Sequence, residues 1–297
     1  MASLIFNSTL AITEKYISSS DGTQIFAQAV GNPHLPSLVF VHGFALSALV
    51  WASIFRDTNL LRYFHMVAYD VRGFGQSGKP DKPESYASKF VADDYAAVTR
   101  AFNVTKPIFI GWSLGGSFVS DILQHYGEDA LAGVICVASV PYFDLSPAVL
   151  TPWIREEILP ALSNVDNATL ALAARVDFTY ALFTEPKNIP IEVLWSWLGS
   201  ATVPEPSKIG HITSSVRGDT ANTTNLFKAG ANGLPLLFIN GEKDKFVIGD
   251  EAVKLVDGKF KKLEVYTVKN GGHAMFYEDQ DIFVGEVARF SRRVFKI

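Results

Sequence analysis

Ser113 stands between glycines in "GWSLGG", a G-x-S-x-G arrangement that follows the apolar run "PIFI" and opens a helix-like stretch. A serine so placed suits nucleophilic attack on an acyl carbon. The sharp strand-to-helix turn exposes its hydroxyl, and the helix behind it aims amides and a positive dipole end at developing negative charge. Gly111 and Gly115 have a steric reason, because side chains two residues to either side of the turn would collide. The motif alone is weak. A serine hydroxyl attacks only when a base takes its proton and an acid orients that base.

In a serine elbow of this kind the acid and then the base follow the nucleophile along the chain. Downstream of Ser113 the histidines are His125, His211 and His273. His125 falls inside a helical pattern and reads as a surface residue, and His211 falls where it could at most touch substrate. His273, in "VKNGGHAMF", sits on a glycine-rich loop after a strand and is the expected base. Asp244, in "FINGEKDKF", is the expected acid; Asp144, after "ICVAS", is its rival, and Glu242 points elsewhere. The backbone amides of Phe44, in "FVHGF", and Leu114 are the expected oxyanion donors. His42 is expected to shape that loop and not to react. Trp112, Trp195 and Phe276 are the expected substrate contacts.

These residues need a frame that brings them together. Short apolar runs, "SLVFVHG", "HMVAYDVRG", "PIFIGWS", "AGVICVAS" and "LPLLFING", read as buried strands, with "LEVYTV" as a last strand and a hairpin over 14–19 and 24–30. Helical periodicity over 88–102, 117–126, 250–256 and 281–295 alternates with them. This predicts a mostly parallel sheet covered on both faces, with ligands bound beyond the carboxyl ends of the strands. The alternation breaks after Pro141 in a helical, aromatic stretch holding Trp153, Trp195 and Trp197, which reads as a lid.

The "DVRGFGQSGKP" loop reads as a glycine turn tied by charges, not a phosphate loop, since proline follows Gly78-Lys79 where a phosphate loop needs Ser or Thr. Hydrophobic residues make up 48% of the 297, enough for a large core. Twenty-six basic against thirty acidic residues, spread along the chain, leave a net charge of −4 and argue against a nucleic-acid partner. Cys136, in an apolar run, reads as core packing. The first residues lack the pattern of a signal peptide, and no run approaches the ~18 apolar residues of a membrane span. A cytoplasmic location is expected, with the sequons at Asn7, Asn103, Asn167 and Asn222 accidental.

With "HGF", "DVRGFGQSGKP", "GWSLGG", "GEKD" and "GGHAMF" in order, the chain resembles the α/β-hydrolase superfamily over nearly its whole length. "HGFALSALVW" with "GWSLGG" is most similar to its esterase and perhydrolase branch, the non-haem haloperoxidases. The resemblance implies an α/β fold with an eight-stranded, mostly parallel sheet flanked by helices. It implies a hydrolase core over 1–140 and 226–297, a helical cap over 141–225, and a Ser113–Asp244–His273 triad needing no cofactor or metal. Serine at position 113 separates the chain from epoxide hydrolases and haloalkane dehalogenases, which carry aspartate there. The expected activity is hydrolysis of small carboxylic esters or lactones with an apolar part. Perhydrolysis on the same triad, and a hydrolase-derived small-molecule receptor, are the alternatives.

Overall fold

The computed structural model describes residues 11–143 and 148–297. Eight strands form one sheet: β1 (Thr13–Ser18), β2 (Gln24–Val30), β3 (Ser37–Val41), β4 (His65–Tyr69), β5 (Ile108–Trp112), β6 (Gly133–Val137), β7 (Leu236–Gly241) and β8 (Leu263–Val268). Their spatial order is β1-β2-β4-β3-β5-β6-β7-β8. β1 pairs antiparallel with β2 and β2 antiparallel with β4; every other pairing is parallel. The sheet is the expected α/β-hydrolase arrangement.

The strand sequences account for their places. β3, β4, β5 and β6 are buried at every position, as continuous apolar strands must be when helices cover both faces. Cys136 lies among them, fully buried. The outer strands β1 and β8 instead expose alternate residues, which suits sheet edges. Helices Ser88–Ala101, Phe118–Tyr126, Gly249–Lys254 and Gln280–Phe295 lie close to the expected spans.

Between β6 and β7 the chain leaves the sheet for a run of helices: Trp153–Ile158 continuing into Leu159–Leu162, then Ala168–Ala181, Ile191–Thr202, Pro206–Ile209 and Ser215–Thr220. The next helix, Thr224–Ala231, docks back on the core, where Asn225 Nδ2 donates to Leu123 O at 2.9 Å.

This helical stretch is fastened to several strand-end loops. Thr151 N donates to Phe246 O at 3.0 Å and Ile248 N to Val149 O at 2.8 Å, tying it to the loop after β7. Thr184 N and Thr184 Oγ1 both donate to Glu278, and Ala274 N donates to Leu182 O at 2.9 Å, tying it to the loop after β8. Ser200 Oγ donates to Ser47 Oγ at 2.9 Å, tying it to the loop after β3.

Candidate active site

Ser113 follows β5 directly and holds φ at +53°, a left-handed conformation that non-glycine residues rarely adopt. Ala45 and Ala138, at φ 61° and 45°, are strained in the same way in the loops after β3 and β6. Strain of this sort persists only where packing over-determines it, and it clusters at working sites. The elbow depends on close approach. A Cβ on Gly111 would stand 2.4 Å from Gly116 Cα, and one on Gly115 would stand 2.5 Å from His42 O. Ser139 Oγ donates to Ser113 O, which holds the carbonyl side of the strained residue.

The loop after β3 crosses in front of this turn: a Cβ on Gly43 would lie 3.0 Å from Ser113 Cβ. Among the described residues neither the Phe44 amide nor the Leu114 amide donates a hydrogen bond, so both remain free beside Ser113. His42 shapes the loop from behind. The Val71 amide, which can only donate, donates to His42 Nε2 at 2.9 Å. The ring proton therefore sits on Nδ1, which donates to Gly43 O at 2.7 Å. Full burial pushes the His42 imidazole down from 6.5 to about 4, so it stays neutral; its bond to Gly43 only partly opposes that shift.

His273 comes from the loop after β8 and is almost wholly buried. Its Nδ1 lies 2.9 Å from Asp244 Oδ2 and 3.0 Å from Oδ1. Asp244 Oδ1 also accepts from the amides of Phe246 at 2.7 Å and Val247 at 3.1 Å, so backbone fixes the carboxylate before it fixes the ring. The Phe246 ring stacks on the imidazole, with centroids 4.3 Å apart and planes 18° apart. Trp112 Nε1 donates to His273 O at 2.9 Å, joining the residue before the serine to the histidine. Among the described residues Ser113 Oγ makes no hydrogen bond, and the residue borders a cavity. Such links often close only around substrate. Glu242 does point elsewhere and accepts from the Asn270 amide at 2.8 Å. Asp144 lies outside the described residues.

The cavity over Ser113 has a volume of about 70 Å³. Its floor is Ser113, Leu114 and Ser117, and its walls include Phe44, Phe246 and Val247 from strand-end loops. Phe143, Val149, Ile154, Leu159 and Phe178 close it from the helical insertion. The lining is apolar apart from a few hydroxyls.

The expected substrate contacts need correction. Trp112 is fully buried beneath the site, packed against Trp51, Trp197 and Phe276, and its indole is spent on His273 O. Phe276 is likewise fully buried, 4.4 Å from Trp51. Trp195 is 64% exposed on helix Ile191–Thr202, one residue after the buried Leu194 and two before the buried Trp197, and so off the face they share. None of the three borders the cavity. His211 also lies away from it, its Nε2 3.2 Å from Asp81 O. Aromatic content identified the region, while helical phase decided which rings face inward. Ser139 and Phe246 were the residues missed. Phe246 had a signal, since it belongs to the turn that begins at Asp244.

The loop after β4 works as an internal brace. Gly73, Gly75 and Gly78 do spell G-x-G-x-x-G, but no α-helix opens directly behind them to receive a phosphate. Asp70 accepts from the amides of Ala48 and Gln76, each at 2.7 Å, and fully buried Arg72 pairs with Asp94 and Asp21.

The family model of the alpha/beta hydrolase fold matches residues 36–280. An AB hydrolase superfamily protein, YisY, of Bacillus subtilis is 27% identical over 93% of this chain and 98% of its own length. A non-heme chloroperoxidase of Burkholderia pyrrocinia is 25% identical over 93% of this chain and 98% of its own. Among solved structures, the esterase RhEst1 from Rhodococcus sp. ECU1013 superposes with a TM-score of 0.78 at 26% identity, covering 93% of this chain and 98% of that one.

Proposed function

This chain belongs to the α/β-hydrolase family, in its esterase and haloperoxidase-like branch, where ester hydrolysis is the family-level activity; from that premise we propose that it cleaves small carboxylic esters or lactones with an apolar acyl part through an acyl-enzyme. The observation that supports this reading is a strained serine bordering an apolar cavity, directly after Trp112, whose indole donates to the backbone of a histidine held on a backbone-fixed aspartate. His273 Nε2 takes the Ser113 proton as Oγ attacks the acyl carbon. The charge that develops on the former carbonyl oxygen is received by the amides of Phe44 and Leu114. Asp244 holds Nδ1–H and stabilises the imidazolium, which then protonates the departing alkoxide. Water activated by His273 releases the acid and restores Ser113.

In this reading residues 141–225 are the lid, and its apolar inner face selects the acyl group. The test is Ser113→Ala with p-nitrophenyl acetate: turnover is lost while the far-ultraviolet circular dichroism and the melting temperature hold. An alanine variant as active as the parent sinks the assignment. The chloroperoxidase relative favours a second reaction on the same acyl-enzyme, with hydrogen peroxide in place of water and a peracid as product. The ratio of peracetic acid to acetic acid formed from an acetate ester in the presence of hydrogen peroxide separates the two.

A further inference from the structure

Arg217 stands on helix Ser215–Thr220 of the insertion, and neither its side chain nor that of its partner Asp121 is exposed. Its guanidinium lies 4.4 Å from the centroid of Phe118 and 4.7 Å from that of Phe143. Nη2 donates to Asp121 Oδ2 at 2.6 Å and to Ser117 Oγ at 3.0 Å. Ser117 Oγ in turn donates to Leu114 O at 2.6 Å. Ser117 and Leu114 both border the cavity beside Ser113.

As a stabilising device this pair is poor. Among the described residues Arg217 Nε, Arg217 Nη1 and Asp121 Oδ1 are buried without a partner. Each such group has given up its water for nothing, and a buried ion pair often adds no stability over apolar residues of similar volume. What the arrangement supplies is order at the elbow. A hydroxyl that accepts from a guanidinium becomes a stronger donor, so the Leu114 carbonyl is gripped by a polarised bond. The amide of that same residue is one of the two free donors over Ser113.

We propose that Arg217 is a positioning residue for the oxyanion site: acting through Ser117, it fixes the Leu114 backbone whose amide receives the charge of the tetrahedral intermediate. The inference rests on the hydrolase reading above. Asp121 sets the orientation of the guanidinium, and the flanking rings of Phe118 and Phe143 hold its plane.

The test uses the full chain with p-nitrophenyl acetate and a short alkylboronic acid, which forms a tetrahedral anion on the serine. Losing an oxyanion donor outright costs roughly 10²–10³ in kcat, so loosening one in Arg217→Met lowers kcat about tenfold with KM within about twofold. Boronate affinity falls by the same factor. Ser117→Ala, which leaves the ion pair intact, gives the same pattern, and Arg217→Lys recovers part of the loss. The double variant Arg217→Met/Asp121→Leu removes the pair without stranding a charge; it keeps the parent melting temperature yet remains slow. The proposal is overturned if that double variant, or Ser117→Ala, keeps both kcat and boronate affinity of the parent. It is equally overturned if kcat in every variant merely follows the folded fraction. A parent chain that neither turns over the ester nor binds boronate instead removes the hydrolase reading, and this inference with it.

Discussion

The floor and the roof of the cavity over Ser113 are made by different physics. On the sheet side, backbone does the work: a left-handed serine, two free amides, an aspartate held by the amides of Phe246 and Val247, and glycines that let chain cross chain. On the insertion side, side chains do the work, with Phe143, Ile154, Leu159 and Phe178 filling space above the serine. Backbone geometry tolerates almost no change of residue, since a Cβ has nowhere to go. A packed apolar roof tolerates exchange provided volume is kept. One fold can therefore hold its chemistry fixed while the roof is free to change what enters. The fastenings from the roof to Glu278, Phe246 and Ser47 make it part of the frame and not a loose flap.

The sharpest way to break this division is Gly115→Ala. The added methyl would meet the carbonyl oxygens of His42 at 2.5 Å and Val41 at 2.7 Å, neither of which can swing aside. The expected result is a loss of about 3 kcal/mol of stability by urea unfolding. Because displacement near 1 Å can cost ~10²-fold in rate, whatever folds should turn over ester at least that much more slowly. A variant with parent stability and turnover would show that the floor is not fixed by backbone approach.

The second largest effect belongs to His42 and reads the floor by pH. Its folded value, about 4, lies below the ordinary 6.5 because burial penalises the cation. Between those values the unfolded chain binds a proton that the folded chain refuses, so its stability contribution is present above pH 6.5 and is lost as pH falls toward 4. The full shift amounts to about 3 kcal/mol. Urea unfolding from pH 7 to 4, compared between the parent and His42→Gln, isolates this slope from those of other groups. Equal slopes in the two chains would place the charged imidazole comfortably inside the fold.

The two regions also differ in how far their sequences disclose them. Strands such as "SLVFV" and "GVICV" are apolar throughout, and only a sheet covered on both faces uses such runs. The strands themselves, and the placing of Ser113, Asp244 and His273 at strand ends, were legible in that pattern; the order of the strands in the sheet was not. The roof was legible as a region and not as a surface. Trp195 and Trp197 are both aromatic and two residues apart, yet one is 64% exposed and the other 2%, because a helix turns 100° per residue. Trp112 shows another limit. Adjacency to the nucleophile suggested a substrate contact, but a strand alternates its faces, so the residue before the serine points into the core beneath it. Ser139 and Arg217 act on the elbow from 26 and about 100 residues away, a distance over which pattern carries no information.

On the roof, Phe178→Leu keeps an apolar side chain and opens the space nearest Phe44 and Phe246, whose rings it meets at 6.4 and 5.4 Å. The expected stability loss is about 1 kcal/mol. Selectivity should move further than stability. Across p-nitrophenyl esters of increasing chain length, the ratio of kcat/KM for the longer acyl groups to that for acetate rises about fivefold, since one or two methylenes in an apolar pocket are worth ~1–3 kcal/mol. An unchanged profile would move acyl selection off the roof.

The smallest effect is the one expected of Trp195→Ala. Its ring lies outside the cavity on the outer face of helix Ile191–Thr202, so truncation removes neither packing above Ser113 nor a contact to Asp244 or His273. Stability should stay within about 0.5 kcal/mol of the parent. The kcat/KM profile over the ester series should superimpose on the parent curve. Trp197→Ala, two residues along the same helix, provides the contrast: its ring is 4.9 Å from Phe183 and stacked 6.0 Å from Phe276, so its loss should cost about 3–5 kcal/mol. Phase along a single helix then decides between a silent aromatic and a structural one. A change of acyl preference in Trp195→Ala would mean that substrate passes over the outer face of the insertion on its way to the serine.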